Sequence, residues 1–431
     1  MKNEMKQTEI GLIPKEWEVG PMEDYCDVID PHPSHRAPQE DPNGFPFIGI
    51  GDIDEQGKIN IEKARKVSLD DVLQQRQIFE LKEGDIGFGR VASIGKVVWF
   101  KKQFYPYAIS PTMALIRPKK VLSTYAYHFL SSELTSSQFR MISAGSTRIS
   151  IGMKNLRQLY FALPPLPEQQ KIAEILSTLD EKMAVIDEQL AQTQELKKGL
   201  MQRLLTRGIG HTEFKDSPLG PIPVGWEVMR MKDVCSKVTD GTHFSPKPTK
   251  EGIPFITAIH VKEGYIDFAN CKFLPQDVHD EIYRRCNPEK GDVLIVNIGA
   301  GTANPALIKV DFEFSLKNVA LLKPKKGLLC GDFLEAYQIF KRQSIVDTLI
   351  TGGAQPFLSL KALGELTILL PPLPEQRQIA EILTTVDDKI GVLEAKKAQY
   401  QTLKRGLMQQ LLTGQRRVRV APAEAVLAEA P

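Results

Sequence analysis

The sequence predicts an α+β fold in which two small mixed-sheet domains are separated by two long helices that pair as an antiparallel coiled coil. Three observations support this prediction: the chain has 431 residues, part of it recurs at an offset of 207 residues, and each recurring block carries a helical apolar pattern. At about 150 residues per domain, this length is enough for two or three domains with cores of their own.

The clearest feature of the chain is an internal repeat. Residues 164–206 align without gaps on residues 371–413, and about 27 of the 43 aligned positions are identical. Both copies open with PPLPEQ, continue with IAEIL and end with GLMQ-x-LLT. A second match joins GLIPKEWEV at 11–19 to GPIPVGWEV at 220–228, whereas the segments between these matches differ at most positions. The chain therefore contains two copies of one unit, each with a variable and a repeated segment.

The repeated segments have the pattern of long helices. Apolar residues recur at steps of three and four, at Ile172, Leu176, Leu179, Met183, Ile186 and Leu190 in the first copy and at Ile379, Leu383, Val386, Ile390 and Leu393 in the second. This spacing predicts an a/d seam. A helix of about 40 residues is about 60 Å long, and its apolar stripe would be exposed if it stood alone. We therefore expect the helices to bury their stripes against each other; the alternative is that each packs on its own domain.

The linker after the first repeated segment predicts the direction of the helices. Residues 208–219 alone join the first helix to the second variable domain. That domain must therefore lie near the end of the first helix and the start of the second. An antiparallel pair satisfies both conditions, whereas a parallel pair would require the chain to travel back about 60 Å. Antiparallel pairing of equivalent units also predicts a pseudo-two-fold axis.

The variable segments predict small mixed sheets. Strand patterns occur at 45–50, 95–100, 113–118 and 158–163 in the first, and at 254–259, 292–298, 319–324 and 365–370 in the second. One helix is predicted near 124–142 and another near 332–350, where Asp332 and Glu335 form a candidate capping box. Mixed strands with few helices favour a small twisted sheet over alternating βαβ units. The predicted boundaries are 1–163 and 209–370 for the mixed-sheet domains, 164–208 and 371–415 for the helices, and 416–431 for a disordered tail.

Composition and charge exclude several classes of protein. Charged residues make up 25% and hydrophobic residues 42% of the chain, which is typical of globular proteins. The net charge of +2 neither requires nor excludes nucleic acid. The five cysteines are odd in number, widely spaced and without a C-x-x-C pair, which indicates reduced thiols in a cytoplasm and no zinc site. The sequence has no signal-peptide pattern and no apolar run of about 18 residues, so no membrane span is predicted.

The motifs of an enzyme are missing. GDVLIVNIGAG at 291–301 resembles a strand followed by a glycine-rich nucleotide-binding turn, but Pro305 opposes the helix that should follow, so a hairpin turn is the favoured interpretation. No G-x-x-x-x-G-K-[ST] loop occurs, and the seven histidines show no H-x-x-x-H spacing. The carboxylates show no catalytic pairing. The sequence therefore predicts no catalytic and no metal-binding residue.

Polar and basic residues beside glycine-rich turns are the remaining candidates for function. Arg and Lys suit guanine edges and phosphates, and Asn and Gln suit adenine edges, although any single one of these residues could be a solvated loop residue. The candidate DNA-binding residues are Arg90, Ser93, Lys96, Lys101, Ser146, Thr147, Arg148, Lys154, Thr242, His243, Lys247, Asn297, Thr302, Asn304, Lys317, Asn318 and Gln355.

As a set, the duplicated GLIP-x-x-WEV opening (GPIPVGWEV in the second copy), the PPLPEQ-x-x-IAEIL start and the GLM-x-x-LLT helix end resemble the specificity subunits of type I restriction–modification systems. The resemblance covers essentially the whole chain. It implies two target-recognition domains, each reading one half of a bipartite site in double-stranded DNA, and no catalysis by the subunit itself. It also implies two modification subunits that bind S-adenosylmethionine and methylate adenine N6, and restriction subunits; S-adenosylmethionine, ATP and Mg are expected in these partners.

The outward-facing helix positions and the PPLPEQ corners are the predicted docking surface for the modification subunits. The corner residues are Pro165, Pro167, Glu168, Gln169, Pro372, Pro374, Glu375 and Gln376. The coiled-coil length is expected to set the gap between the half-sites. Two alternatives stay open at this point: a self-contained DNA methyltransferase, and a coiled-coil adaptor without a DNA role. The basic residues of the tail either contact phosphate or have no partner.

Overall fold

The computed structural model describes residues 4–32, 37–54, 57, 59–91, 93–100, 107–143, 150–299, 301–350 and 357–420. Contacts within the chain divide it into two units. The first comprises Met1–Asp187 together with Ala395–Pro431, and the second comprises Glu188–Glu394. Each unit therefore contains one variable segment and one half of each long helix, so the long helices do not form segments of their own.

The first unit is built from short strands and helices. Its strands are β1 (Met5–Thr8), β2 (Gly11–Pro14), β3 (Glu18–Pro21), β4 (Cys26–Ile29), β5 (Phe45–Ile48), β6 (Lys66–Val67), β7 (Ile86–Gly89), β8 (Val97–Trp99), β9 (Ala108–Ile109), β10 (Met113–Pro118) and β11 (Tyr160–Leu163). Its helices are α1 (Leu69–Ile78), α2 (Ser123–Leu130), α3 (Glu133–Ser143), α4 (Met153–Arg157), the first half of α5 (Leu166–Arg207) and the second half of α10 (Leu373–Leu412).

A four-stranded antiparallel sheet with the order β4-β10-β7-β8 forms the centre of the first unit. A smaller mixed sheet has β5 antiparallel to β6 and parallel to β9. Phe88 of the larger sheet, Phe129 of α2 and Trp17 of the WEV motif are buried in one apolar core. Full burial of a side chain of this size stabilises the fold by roughly 2–3 kcal/mol, so the repeated tryptophan is explained by packing.

The second unit uses corresponding elements. Its strands are β12 (Phe214–Lys215), β13 (Ile222–Pro223), β14 (Glu227–Arg230), β15 (Cys235–Asp240), β16 (Ile253–Thr257), β17 (Val261–Lys262), β18 (Tyr265–Ile266), β19 (Lys272–Leu274), β20 (Val293–Val296), β21 (Pro305–Leu307), β22 (Ser315–Lys317), β23 (Val319–Pro324) and β24 (Thr367–Leu370). Its helices are the second half of α5, α6 (Met231–Val234), α7 (Gln276–Cys286), α8 (Gly331–Ile350), α9 (Leu360–Glu365) and the first half of α10.

The second unit repeats the strand arrangement of the first. Its four-stranded sheet has the order β15-β23-β20-β21, and its mixed sheet has β16 antiparallel to β19 and parallel to β22. The strand pairs β11-β3 and β14-β24 also correspond. Trp226 is fully buried in the core of this unit, as Trp17 is in the first. The predicted mixed-sheet fold with an internal repeat is therefore confirmed.

Within the first unit, the halves of α5 and α10 lie side by side and run in opposite directions. Asp180 pairs with Lys404 and Asp187 pairs with Lys397, each at 2.5 Å. Seven residues forward along α5 therefore correspond to seven residues back along α10. Ile172 near the start of α5 shares its core with Leu412 at the end of α10, as antiparallel packing requires.

Within the second unit, the other halves of α5 and α10 show the same antiparallel packing. Lys197 pairs with Asp387 at 2.5 Å, and this ion pair is the repeat equivalent of the Asp180–Lys404 pair. Leu205 near the end of α5 shares a core with Ile379 near the start of α10. The antiparallel pairing predicted from the short linker is thus present inside each unit.

Strand predictions hold at all eight positions, whereas the helices of the variable segments differ in detail. The helix predicted near 124–142 is broken into α2 and α3, where the hydroxyls of Ser132 and Thr135 both donate to the carbonyl of Phe129, a competition that interrupts helices. The Glu335 carboxylate, predicted as part of a capping box, accepts a hydrogen bond from Leu307 N at 2.7 Å and ties α8 to β21. Strands β20 and β21 pair antiparallel, so the hairpin interpretation of GDVLIVNIGAG is confirmed.

Candidate functional site

Candidate residues of the first unit gather at one end of the four-stranded sheet. Arg90 directly follows β7 and Lys96 directly precedes β8, which is the next strand of the sheet. Asp30 follows β4 at the same edge, as the pairing of β4 and β7 with β10 shows. Since β4 and β7 end here and β8 begins here, the side chains next to these strands are held on a rigid support, as a binding site requires.

Arg90 is a buried cation beside a carboxylate. Its side chain is 9% exposed, and Nη1 donates to Oδ2 of Asp30 at 3.3 Å. Its backbone N–H donates to Thr112 O at 2.9 Å, and its carbonyl accepts from Ile151 N at 2.8 Å. Nε of Arg90 has no hydrogen-bond partner among the described residues. An unpaired buried donor costs roughly 1–3 kcal/mol, and this one belongs to the Asp30–Arg90 ion pair at the sheet end.

The other predicted residues of the first unit are less clearly placed. Lys96 donates from Nζ to the carbonyl of Ile53, and Ser93 is exposed in the β7–β8 connection. Lys154 is exposed on α4, close to the sheet end because Ser150 bridges to Val91. Lys101, Ser146, Thr147 and Arg148 lie outside the described residues.

The corresponding sheet end of the second unit carries amide and hydroxyl side chains. The register of β15, β20, β21 and β23 places four predicted residues, each within two residues of a strand end, at one edge: Thr242, Asn297, Asn304 and Asn318. Thr242 is buried and its N–H donates to Leu316 O at 2.8 Å. These four predicted residues, scattered over 77 positions of the chain, therefore lie at one sheet edge, where Thr242 and Asn297 are buried. Their contact with DNA stays a prediction.

Asn297 occupies the position that Arg90 occupies in the first unit. Asn297 directly follows β20, as Arg90 directly follows the equivalent strand β7. The carbonyl of Asn297 accepts a hydrogen bond from Leu358 N, and the carbonyl of Arg90 accepts one from Ile151 N, each at 2.8 Å. Nδ2 of Asn297 donates to Leu358 O at 3.3 Å, whereas Oδ1 is buried without a partner in the part of the chain that is described. At this equivalent position, the side-chain atom without a partner among the described residues is a donor in the first unit, Nε of Arg90, and an acceptor in the second, Oδ1 of Asn297.

A charged cluster adjoins this surface. Asp240 is 8% exposed; its Oδ1 accepts from Nη2 of Arg285 at 2.7 Å, and its Oδ2 lies 3.1 Å from Nε2 of His243. Nδ1 of His243 lies 3.1 Å from Oδ1 of Asn318. The structure therefore joins two predicted residues to Arg285, which the sequence reasoning missed. The basic pair Arg284–Arg285 at the end of an amphipathic helix was the available signal.

The remaining predicted residues of the second unit have local roles or lie apart. Oγ1 of the buried Thr302 donates to Gly299 O at 2.7 Å and stabilises the β20–β21 turn. Lys317 donates from Nζ to the hydroxyl of Ser245, and Lys247 is exposed. Gln355 lies outside the described residues.

The glutamines of the PPLPEQ corners are buried and make hydrogen bonds inside each unit. Gln376 is fully buried; its Oε1 accepts from Cys330 N at 2.8 Å, and its Nε2 donates to Leu328 O at 2.9 Å and to Pro371 O at 2.8 Å. Gln169 is 3% exposed and makes the corresponding contacts in the first unit. These side chains satisfy backbone groups where each long helix begins.

The glutamates of the same corners are equivalent carboxylates with different partners. Glu375 accepts from Trp226 Nε1 at 2.9 Å and from Ile209 N at 3.0 Å. Glu168 is 5% exposed and accepts from Nε of Arg417 at 2.8 Å. Glu168, Gln169, Glu375 and Gln376 thus make hydrogen bonds within the chain, and docking of a partner at these corners stays a prediction. The exposed members of the corners are the prolines Pro165, Pro167, Pro372 and Pro374.

Arg417 also changes the interpretation of the C-terminal segment. Besides its bond to Glu168, it donates from Nη1 to Oε2 of Glu16 at 2.9 Å, and Val418 packs against the core of the first unit. The segment predicted as disordered from residue 416 thus has defined contacts at its start. Residues 421–431 lie outside the described residues.

Three of the thiols are buried and poorly reactive. All five cysteines are free, and burial raises the pKa of Cys26 and Cys235 to about 12 and that of Cys286 to about 11. Such thiols stay protonated near neutral pH and are poor nucleophiles. Within the described ranges, no group of three or more His, Cys, Asp and Glu residues could hold a metal ion. The helices described here include none that is long and apolar enough to cross a membrane.

Comparison with known proteins gives consistent matches along the chain. The family model of the type I restriction modification DNA specificity domain matches residues 14–195 and 223–401. A putative type I restriction enzyme MjaX specificity subunit of Methanocaldococcus jannaschii is 30% identical over 433 residues, which covers 96% of this chain and 97% of that protein. The type I restriction enzyme MjaVIII specificity subunit of the same organism is 26% identical over 423 residues, 94% of each chain.

Solved structures show the same fold. The crystal structure of a type I restriction-modification system S subunit from M. genitalium matches with a TM-score of 0.58 at 16% identity, covering 95% of this chain and 99% of that one. A chain from a structural study of complex assembly and conformational transition of the type I R-M system matches with a TM-score of 0.55 at 17% identity, covering 94% of this chain and 99% of that one.

Two repeated mixed-sheet units, with long helices that pack antiparallel inside each unit, define the fold class of this chain. The chain belongs to the type I restriction–modification DNA specificity family.

Proposed function

We propose that each unit of this specificity subunit reads one half of a bipartite site in double-stranded DNA. The observation that carries the proposal is that both units present an equivalent sheet end with unlike polar side chains, Arg90 in the first and Asn297 in the second. Base edges in the major groove are distinguished by the donors and acceptors that they present. Equivalent supports with different donors and acceptors are therefore suited to two half-sites of different sequence.

The subunit itself is proposed to be non-catalytic. Two modification subunits would bind S-adenosylmethionine and methylate adenine N6, and restriction subunits would use ATP and Mg. This division is consistent with the segment GDVLIVNIGAG, where strand β21 follows in place of a nucleotide-binding helix. The function requires a cytoplasmic location, where the DNA and the partners are found.

Exposed faces of α5 and α10 are the proposed docking surface for the modification subunits. Apolar side chains stay exposed at repeat-equivalent positions: Val185 and Val392 are 54% and 66% exposed, and Leu196 and Leu403 are 53% and 48% exposed. Apolar groups left in water on both copies favour binding of the same partner twice. Val392→Glu should weaken co-purification of the modification subunit without changing the melting temperature of the chain alone.

The length of the helices is proposed to set the gap between the half-sites. Four residues inserted at equivalent positions of α5 and α10 add about 6 Å to each helix, which corresponds to about two base pairs of DNA. We expect the preferred gap in the methylated motif to lengthen by one or two base pairs. Four residues inserted in the linker at 212–213 serve as the control, and an unchanged gap in the helix variant contradicts this function of the helices.

The proposed function is tested by mapping N6-methyladenine in random-sequence DNA exposed to the chain together with its modification subunit. The expected result is one motif of two specific halves separated by an unspecific gap. Methylation by the chain alone would instead show a self-contained methyltransferase. Methylation by the complex without any motif would show an adaptor that does not read DNA.

A further inference from the structure

A carboxylate lies at the same sheet position in both units and pairs with an arginine from a different element in each. Asp30 follows β4 and Asp240 ends β15, and the pairing of these strands with β10 and β23 makes the two positions equivalent. Asp30 pairs with Arg90, whose side chain is 9% exposed. Asp240 pairs with Arg285, whose side chain is 49% exposed. Of these two guanidinium groups, the one in the second unit is therefore open to a ligand.

Three contacts hold Arg285 and leave part of its guanidinium unused. Nη2 donates to Oδ1 of Asp240 at 2.7 Å, and Nε donates to the backbone carbonyl of the same residue at 3.3 Å. Nη2 also lies 3.3 Å from Nε2 of His243. A guanidinium carries five N–H donors, and the two on Nη1 have no hydrogen-bond partner among the described residues. The head group is thus fixed in direction while two donors remain free.

This cluster belongs to the polar sheet end of the second unit. Nδ1 of His243 lies 3.1 Å from Oδ1 of Asn318, and the N–H of Asn318 donates to Thr242 O at 3.2 Å. Asn318 has a φ of 53°, in the left-handed region that Asn adopts more readily than most residues. These bonds tie the loop after β15 to the connection between β22 and β23, so Arg285 adjoins the candidate DNA-binding residues.

We propose that Arg285 reads a guanine in the half-site bound by the second unit and that Asp240 is the positioning residue that fixes its guanidinium. The proposal rests on the proposed function, in which each unit reads one half of a DNA site. Guanine presents N7 and O6 as acceptors in the major groove, and a basic side chain that donates to both is the commonest specific contact. Restraint by a buried carboxylate favours base reading over phosphate binding, because discrimination between bases requires donors of fixed direction.

The experiment uses the full chain assembled with its modification subunit and maps N6-methyladenine in a random-sequence DNA library. Arg285→Ala should lower the preference for guanine at one position of the second half-site by about 10- to 100-fold. Asp240→Asn should lower the preference at the same position by a smaller factor, because Arg285 is retained but less restrained. Arg284→Ala is the matched control, since Arg284 is exposed on the same turn of α7. The first half of the motif should be unchanged in every variant, which shows that each is folded and assembled.

Two outcomes would overturn the proposal. One is that Arg285→Ala weakens binding equally for all DNA sequences and lowers the slope of log affinity against log salt concentration by about 1. This combination is the signature of a phosphate contact. The other is an unchanged guanine preference in both Arg285→Ala and Arg285→Gln while the complete motif is retained. A wild-type complex that yields no two-part motif contradicts the proposed function itself, so the two failures are distinguishable.

Discussion

The buried glutamines of the PPLPEQ corners provide a direct test of whether this motif holds the fold or binds a partner. Gln376→Leu keeps the size of the side chain but removes three hydrogen bonds to backbone groups, at Cys330, Leu328 and Pro371. At roughly 1 kcal/mol for each backbone group left without its partner, the expected loss is about 3 kcal/mol. Gln169→Leu removes the bonds to Leu122 N and Pro164 O and should cost about 2 kcal/mol.

The assay is thermal and urea unfolding of the isolated full chain. For a unit of about 200 residues, 1 kcal/mol corresponds to about 2–4 °C in Tm, so Gln376→Leu should lower the transition of its unit by about 6–12 °C. Gln378→Leu and Gln170→Leu are matched controls, because both glutamines are exposed in the same motif. Unchanged unfolding of Gln376→Leu combined with lost binding of the modification subunit would refute the structural role and restore the docking role.

Three further predictions concern charge and titration. Burial, with a smaller contribution from Lys404, lowers the pKa of His128 to about 3. His128 therefore stays neutral in the folded protein, whereas in the unfolded chain it binds a proton below about pH 6.5. The stability contributed by this residue is complete above pH 6.5 and falls by up to about 1.4 kcal/mol per pH unit as the pH drops towards 3. Urea titrations between pH 7 and pH 4 should show a flatter dependence in His128→Gln, and equal slopes would contradict this reasoning. The double variant Asp180→Lys with Lys404→Asp exchanges the two charges. In a double-mutant cycle it should recover about 0.5–1 kcal/mol of the free energy of unfolding that the two single variants lose. Single effects that merely add would show that the two side chains do not interact. Alkylation at pH 8 followed by peptide mapping should label Cys330 before Cys235, whose thiol is buried with a pKa raised to about 12; the reverse order would mean that the core of the second unit opens readily.

The strands and long helices were predictable because their burial leaves a periodic record in the sequence. The apolar runs at 292–298 and 319–324 form the central strands β20 and β23, and the seam of residues at steps of three and four forms α5 and α10. The break between α2 and α3 was not predictable from apolar spacing, because it depends on which hydroxyl reaches the carbonyl of Phe129. The spacing of apolar residues thus predicts which helices and strands occur better than it predicts where each of them ends.

The candidate site was predictable in part. Residue type and nearby turns located Thr242, Asn297 and Asn318, which share one sheet end. Arg285 was missed because its partner Asp240 is 45 residues away in the chain, and only the packing of α7 beside β15 joins them. The hydrogen bonds of Gln376 were not predictable for a related reason, since a sequence does not distinguish a glutamine that satisfies buried backbone groups from one that is exposed.

The division of the two units along the chain has a consequence for synthesis on the ribosome. The second unit is one continuous segment, Glu188–Glu394, whereas the first needs Ala395–Pro431 as well as Met1–Asp187. Leu411 and Leu412 lie in the core of the first unit, and Arg417 neutralises its buried Glu168. Since domains tend to fold as they emerge, we expect the second unit to reach its native state first and the first unit to stay incomplete until the residues that follow Glu394 have been made.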